Sequence, residues 1–169
     1  PAEINVRSRV HEYGGAAYVV ARGTVYCANF ADQRVYRVSG AVAEPVTPAG
    51  AWCYADLEID ARRQRLICVR EDGTQERGEP ANAIVGVSIG PADPGFGEGT
   101  PGAVRVLASG ADFYSTPRLS PDGSRLAWLS WNHPCMPWDG TELWVAQVLA
   151  TGELDAPVRI AGGPEESIY

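Results

Sequence analysis

The 169-residue chain contains no lysine. All 14 basic residues are arginine, set against 21 Asp and Glu, so the formal charge is −7. An acidic chain without a basic cluster is poorly matched to nucleic acid or an anionic membrane surface, and neither is expected as a partner. No apolar run approaches the roughly 18–20 residues of a membrane span. Histidine occurs twice and cysteine four times, with no Cys-x-x-Cys, so no zinc pattern can be assembled. No metal and no cofactor are expected. The first residues, Pro-Ala-Glu-Ile-Asn-Val-Arg, lack the basic-then-apolar pattern of a secretory leader. Long helices are excluded by composition, since 19 Gly and 13 Pro leave few uninterrupted helical windows. What remains is 45% hydrophobic and 21% charged, the composition of a folded domain.

Cys27 and Cys68 sit in the apolar runs Val-Tyr-Cys-Ala and Leu-Ile-Cys-Val, where cysteine reads as a small buried hydrophobe. Free thiols agree with a reducing, cytoplasmic compartment.

The chain repeats itself. Residues 23–30, 65–72 and 125–132 are apolar β runs, each preceded by a turn. The turns are Arg22-Gly23, residues 60–64 and Ser120-Pro-Asp-Gly-Ser124, the last carrying the strongest turn chemistry in the chain. A second run follows each first one, at 34–38, 83–89 and 142–148, and a short third run at 44–47, 104–107 and 157–160. Aromatic-rich segments open the units: 11–15, 52–56, 113–117 and, incompletely, 165–169. The matched landmarks Val25, Leu66 and Leu126 are 41 and 60 residues apart, and the Gly/Pro-rich stretch 90–102 accounts for the longer interval as an inserted loop.

Four short strands per unit of about 40–60 residues is the pattern of a β-propeller blade. A β-sandwich also gives short strands with regular turns, but the repeated aromatic opener favours the propeller. The expected fold is therefore all-β: a propeller fragment with blades at about 11–50, 51–110 and 111–163, and the start of a fourth at 164–169. Three blades do not close a ring, which typically takes about 4–8, so the chain reads as cut at both ends.

Several words in this frame are specific: Val6-Arg-Ser-Arg-Val-His-Glu-Tyr-Gly-Gly15, Asn29-Phe-Ala-Asp-Gln-Arg34, Arg118-Leu-Ser-Pro-Asp-Gly123, residues 131–144 (Trp-Asn-His-Pro-Cys-Met-Pro-Trp-Asp-Gly-Thr-Glu-Leu-Trp) and Gly162-Gly-Pro-Glu-Glu-Ser167. They resemble the N-terminal propeller of the prolyl oligopeptidase family of serine peptidases, in its bacterial acylaminoacyl-peptidase and dipeptidyl-aminopeptidase-like branch. The resemblance covers nearly the whole chain. It implies a C-terminal α/β-hydrolase domain carrying a Ser, Asp, His triad outside this chain. It further implies a propeller that covers the active site and limits substrates to short peptides. Ala16 and Cys135 depart from the pattern, standing where Gly and a polar residue are expected.

No catalytic residue is assigned within the chain. Gly86-Val-Ser-Ile-Gly90 has the spelling of a nucleophile elbow, but Ser88 lies inside a β run and is followed by Pro91 rather than a helix. It is rejected as a nucleophile. Gly95-Phe-Gly-Glu-Gly99 lacks the helix and lysine of a phosphate loop. His11 and Glu12 are read as residues that fold the start of a blade, with Gly14 and Gly15 allowing close backbone approach.

Propeller strands alternate in direction. The loops joining strand two to three therefore share a face with the loops joining one blade to the next. That face is expected to collect His11, Glu12, Tyr13, Trp52, Tyr54, Phe113, Tyr114, Trp131, His133 and Trp138, leaving Phe96 as the aromatic of the other. Glu12, Tyr114, Trp131, His133 and Trp138 are the candidate substrate- or domain-facing residues. The expected function is a propeller segment that gates a serine peptidase and packs on its hydrolase domain, inactive alone. The alternative is a non-enzymatic propeller binding module. An isolated fragment, with its blade flanks open, is expected to self-associate.

Overall fold

The computed structural model describes residues 1, 3–74, 79–90 and 102–168. Most of the inserted loop, including Phe96 and the Gly95–Gly99 run, and the terminal residue 169 of the fourth opener lie outside them. Among the described residues there is no helix. Twelve strands form three four-stranded antiparallel sheets, each in sequential order. The first comprises β1 (Tyr18–Ala21), β2 (Thr24–Ala28), β3 (Val35–Ser39) and β4 (Val42–Pro45). The second comprises β5 (Trp52–Asp60), β6 (Arg65–Asp72), β7 (Ala81–Ser88) and β8 (Val104–Ser109). The third comprises β9 (Phe113–Leu119), β10 (Arg125–Trp131), β11 (Glu142–Gln147) and β12 (Val158–Gly162). This is the architecture of a partial β-propeller.

The first two strands of the third blade are joined by the Ser120–Ser124 turn. Asp122 Oδ1 accepts from the Ser120 hydroxyl at 2.6 Å and from the Ser124 N–H at 3.0 Å, while Gly123 takes a φ of 67°. These donors pull the fully exposed Asp122 carboxyl down to about 2. The opener at 11–15 behaves differently from its counterparts: β1 starts at Tyr18, and residues 10–13 form a turn. His11 and Glu12 have φ of 55° and 66°, so no strand can run through them.

Two cores lie between the blades. Tyr26, Val35, Tyr54, Leu57, Leu66, Cys68, Val85 and Val87 fill the space between blades one and two. Val10, Ile67, Val69, Ile84, Tyr114, Leu126, Trp128 and Ala146 fill the space between two and three. Alternation along β6 sends Leu66 and Cys68 to one core, Ile67 and Val69 to the other. Both faces of the middle blade are thus covered, which explains why its strands read as unbroken apolar runs. The outer blades each have one open flank, where Tyr18 and Val20 on β1, and Val158 on β12, are more than half exposed.

Polar ties set the angle between blades. Asp56, in a bulge of β5 with φ 55°, accepts from Ala16 N–H through Oδ1 at 2.8 Å and from Thr116 N–H through Oδ2 at 2.9 Å. One carboxylate therefore joins all three blades, in the first strands of blades two and three and just before that of blade one. Gly15 is required beside it, since a Cβ there would lie 2.8 Å from Asp56 Oδ1. On the face of the 1–2 turns, buried Asp60 binds Arg63 at 3.1 Å and the fully buried Arg65 at 3.0 Å. Arg65 then donates to Gly152 carbonyl at 2.7 Å, and Arg63 to the carbonyls of Gly123 and Val148 at 3.1 and 3.3 Å. The middle blade is so bolted to the third.

Removing one member of a buried ion network strands the other charge, at about 3–5 kcal/mol. Asp60→Ala is expected to lower unfolding stability by about that amount in urea titration, and Asp60→Leu combined with Arg65→Met to recover most of it. A loss under about 1 kcal/mol for Asp60→Ala would show that the network carries no such charge penalty.

Candidate functional site

The loops joining strand two to three and the blade-to-blade connections gather on one face, opposite the Asp60 network. There the structure forms a cavity of about 490 Å³ between blades two and three. Three groups of residues line it: His11 and Glu12 from the turn before blade one, Glu71, Glu79 and Asn82 from the β6–β7 hairpin, and Asp112, Phe113 and His133 from blade three. Among the described residues its lining includes four carboxylates and no arginine.

The walls are aromatic. Phe113 and Trp131 stack at 5.4 Å with planes 15° apart. The His11 ring meets Phe113 edge-on at 5.2 Å and Trp131 at 5.6 Å, with Tyr13 tilted against it at 5.7 Å. His133 lies on Phe113 at 4.8 Å. Such offset and edge contacts hold the rings in fixed orientations. Burial keeps the His11 imidazole below its usual range, opposed by the Asn82 side chain and the charge of Asp56.

Two of the four carboxylates, Glu71 and Asp112, have a structural reason for their place. Glu71 Oε2 accepts the His11 N–H at 2.8 Å, which anchors the positive-φ turn to the middle blade. Burial raises the Glu71 carboxyl above its ordinary range, and Glu12 and Glu79 add to the rise by like-charge repulsion. Asp112 accepts the His133 N–H at 2.9 Å and sits 3.2 Å from its Nδ1. Asn82 Nδ2 donates to the Asp112 carbonyl at 2.8 Å, tying the hairpin to the connection. The same burial, with Glu71 next in importance, raises the Cys53 thiol to about 11, so it is inert.

The face brings His11, Glu12, Tyr13, Phe113, Trp131 and His133 together. Trp131 is buried at 4% exposure and serves as the backing of the aromatic wall. Tyr114 does not face the cavity: it is buried in the core between blades two and three, its hydroxyl accepting from Ala111 N–H at 2.9 Å. Alternation along β9 sends Phe113 to the cavity and the next residue inward. Tyr54 is likewise core. Trp138 is 65% exposed on the loop between β10 and β11, outside the cavity lining. That loop is well ordered by its own bonds, including Met136 N–H to Asp139 Oδ2 at 3.0 Å and Ser167 hydroxyl to Pro137 carbonyl at 2.8 Å.

Ser88 lies buried in β7, its hydroxyl 3.3 Å from the Gly90 carbonyl. Both histidines are on the opposite face, so the described residues give it no base. No group of three or more His, Cys, Asp or Glu among the described residues is arranged to hold a metal ion. Sequence reasoning missed Glu71, Glu79, Asn82 and Asp112. Only Asp112 carried a signal, as the acid next to an aromatic opener.

No family model and no curated protein matches the chain. Solved structures do. A puromycin-hydrolyzing peptidase of Mycobacterium tuberculosis is 37% identical, with a TM-score of 0.81 over 98% of this chain and 27% of that one. A puromycin hydrolase is 35% identical at a TM-score of 0.83, and a mutant of such a hydrolase complexed with PGG is 35% identical at 0.84, with the same coverage. The chain thus spans about a quarter of the length of these peptidases, 27% of each. Three sequential four-stranded blades, the specific words of the turns and loops, and this likeness agree: the chain belongs to the propeller portion of the prolyl oligopeptidase family of peptidases.

Proposed function

We propose that the chain is the part of a serine peptidase's propeller that gates the active site and packs on a hydrolase domain outside it. In this reading the parent cleaves short peptides by acyl-enzyme chemistry, within the acylaminoacyl-peptidase and dipeptidyl-aminopeptidase-like branch. The nucleophile, its base and the orienting acid all belong to that other domain. The four free cysteines favour a reducing, cytoplasmic setting.

The observation that carries the proposal is the acidic, aromatic-walled cavity on the face of the 2–3 loops. Carboxylates gathered in a cleft, with no arginine among the described lining residues, attract a cation, and rigid rings beside them favour it further. A short peptide offers one in its free amino terminus. Trp138 and Met136, displayed on an ordered loop of the same face, are the apolar surface on which the hydrolase domain packs. A ring of blades under that domain keeps folded proteins out.

In the full-length protein, Glu12→Gln and Glu71→Gln are each expected to raise KM about tenfold for peptides with a free amino terminus, relative to N-acylated ones. One charge-assisted hydrogen bond is worth about that factor. An equal effect on both substrate types would contradict amine recognition. A full-length protein with no peptidase turnover at all would favour the propeller binding module instead.

The open flanks lead to a second expectation. The 169-residue chain alone buries Tyr18, Val20 and Val158 by pairing with another copy. Light scattering on a size-exclusion column should give at least twice the 18.1 kDa of one chain. A monomer at high micromolar concentration would contradict it.

A further inference from the structure

The chain has two imidazoles, and the structure treats them differently. His11 is packed among rings in the aromatic wall. His133 stands at the cavity with its side chain 57% exposed. A single oxygen, Asp112 Oδ2, faces both the His133 backbone N–H, at 2.9 Å, and Nδ1, at 3.2 Å. A carboxylate only accepts, so Nδ1 must carry a hydrogen. In the neutral ring Nε2 is then an acceptor.

Asp112 is itself held. Its N–H donates to Asn132 Oδ1 at 2.8 Å, and its carbonyl accepts from Asn82 Nδ2 at 2.8 Å. The neighbouring Phe113 supports the imidazole face at 4.8 Å. Three elements therefore converge to fix one ring in one orientation and one tautomer: the β6–β7 hairpin, the β8–β9 connection and the β10–β11 loop. The backbone bond orders the loop; the second contact of the same oxygen, at Nδ1, bears on the exposed ring. A ligand in the cavity gives that second contact a function.

We propose that His133 is a specificity-determining residue, whose Nε2 accepts a hydrogen bond from the protonated amino group of the substrate peptide. Asp112 is its positioning residue, because it makes that nitrogen an acceptor. This rests on the reading that the cavity takes the peptide's amino terminus. Glu12, Glu71 and Glu79 supply charge, which attracts a cation from any direction. His133 supplies a directional contact, which tells a primary or secondary ammonium from a quaternary one that has no N–H.

Asp112→Ala removes the acceptor that holds the hydrogen on Nδ1. The tautomer of a neutral imidazole follows the hydrogen bonds its nitrogens make, so without Asp112 the hydrogen is free to sit on Nε2. A donor then faces the ammonium in part of the population.

The test has two arms. In the 169-residue chain labelled with 15N-histidine, a long-range proton–nitrogen spectrum at about pH 8 reads both tautomers in neutral rings. The His133 signals are assigned by their loss in His133→Ala. The Nδ1–H form is expected, giving way to an Nε2–H population in Asp112→Ala. An Nε2–H form in the unsubstituted chain would overturn the role of Asp112.

In the full-length protein, His133→Ala is expected to raise KM about tenfold for a free-amine peptide relative to its N,N,N-trimethyl derivative, with the kcat ratio unmoved, and Asp112→Ala to raise it in the same direction by less. His133→Gln, which keeps an acceptor, should recover part of the loss. Equal effects on both peptides, or none, would overturn the acceptor role. Glu12→Gln and Glu71→Gln keep the two readings apart. If they move KM and His133→Ala does not, only the present proposal fails; if neither does, the cavity reading has failed with it.

Discussion

One carboxylate sets the geometry on which the site depends. Asp56 accepts from the backbone of blade one at Ala16 and of blade three at Thr116. It stands 40 residues after the first and 60 before the second, at matched places in the repeat. Apolar packing between blades is non-directional and tolerates a range of fan angles. Two backbone N–H groups bound to one carboxylate do not. The cavity takes its lining from the turn before blade one, from the middle blade and from blade three, so a change in that angle opens or closes it. The Asp60–Arg63–Arg65 network does the same work at the opposite face, between blades two and three.

The face so formed is electrostatically costly. Burial raises the Glu71 carboxyl, and Glu12 and Glu79 stand close enough to add to the rise. No arginine stands with them among the described lining residues, whereas Asp60 has Arg65 at 3.0 Å and Glu142 has Arg159 at 2.7 Å. A cluster of carboxylates in a cleft with rigid aromatic walls is a usual mark of a site that meets a cation from outside.

The sequence revealed the blades because turns and strands are local. Spacing of Val25, Leu66 and Leu126 marks the second strand of each blade, and Ser120–Ser124 forms its turn from side chains within five residues. The unbroken apolar runs of β6 and β7 announce a blade covered on both faces. His11 and Glu12 do fold the start of blade one, but as a turn and not as a first strand like the other openers, with two consecutive positive φ values and an anchor at Glu71 sixty residues away. Tyr114 was misplaced by one step of strand alternation. Asp112 and His133, 21 residues apart, pair only through the register of β9 on β10, in which Phe113 meets Trp131. Glu71 and Asn82 are ordinary polar ends of strands until the hairpin places them beside blade three.

The central claim is that the face of the 2–3 loops is the working face of this propeller. Amide hydrogen exchange on the full-length protein, with and without a bound peptide product bearing a free amino terminus, tests it directly. The account predicts slower exchange at residues 11–13, 110–113 and 131–138 when the peptide is bound. Slower exchange confined to the opposite turns, at 22–23, 61–64 and 120–124, would contradict it.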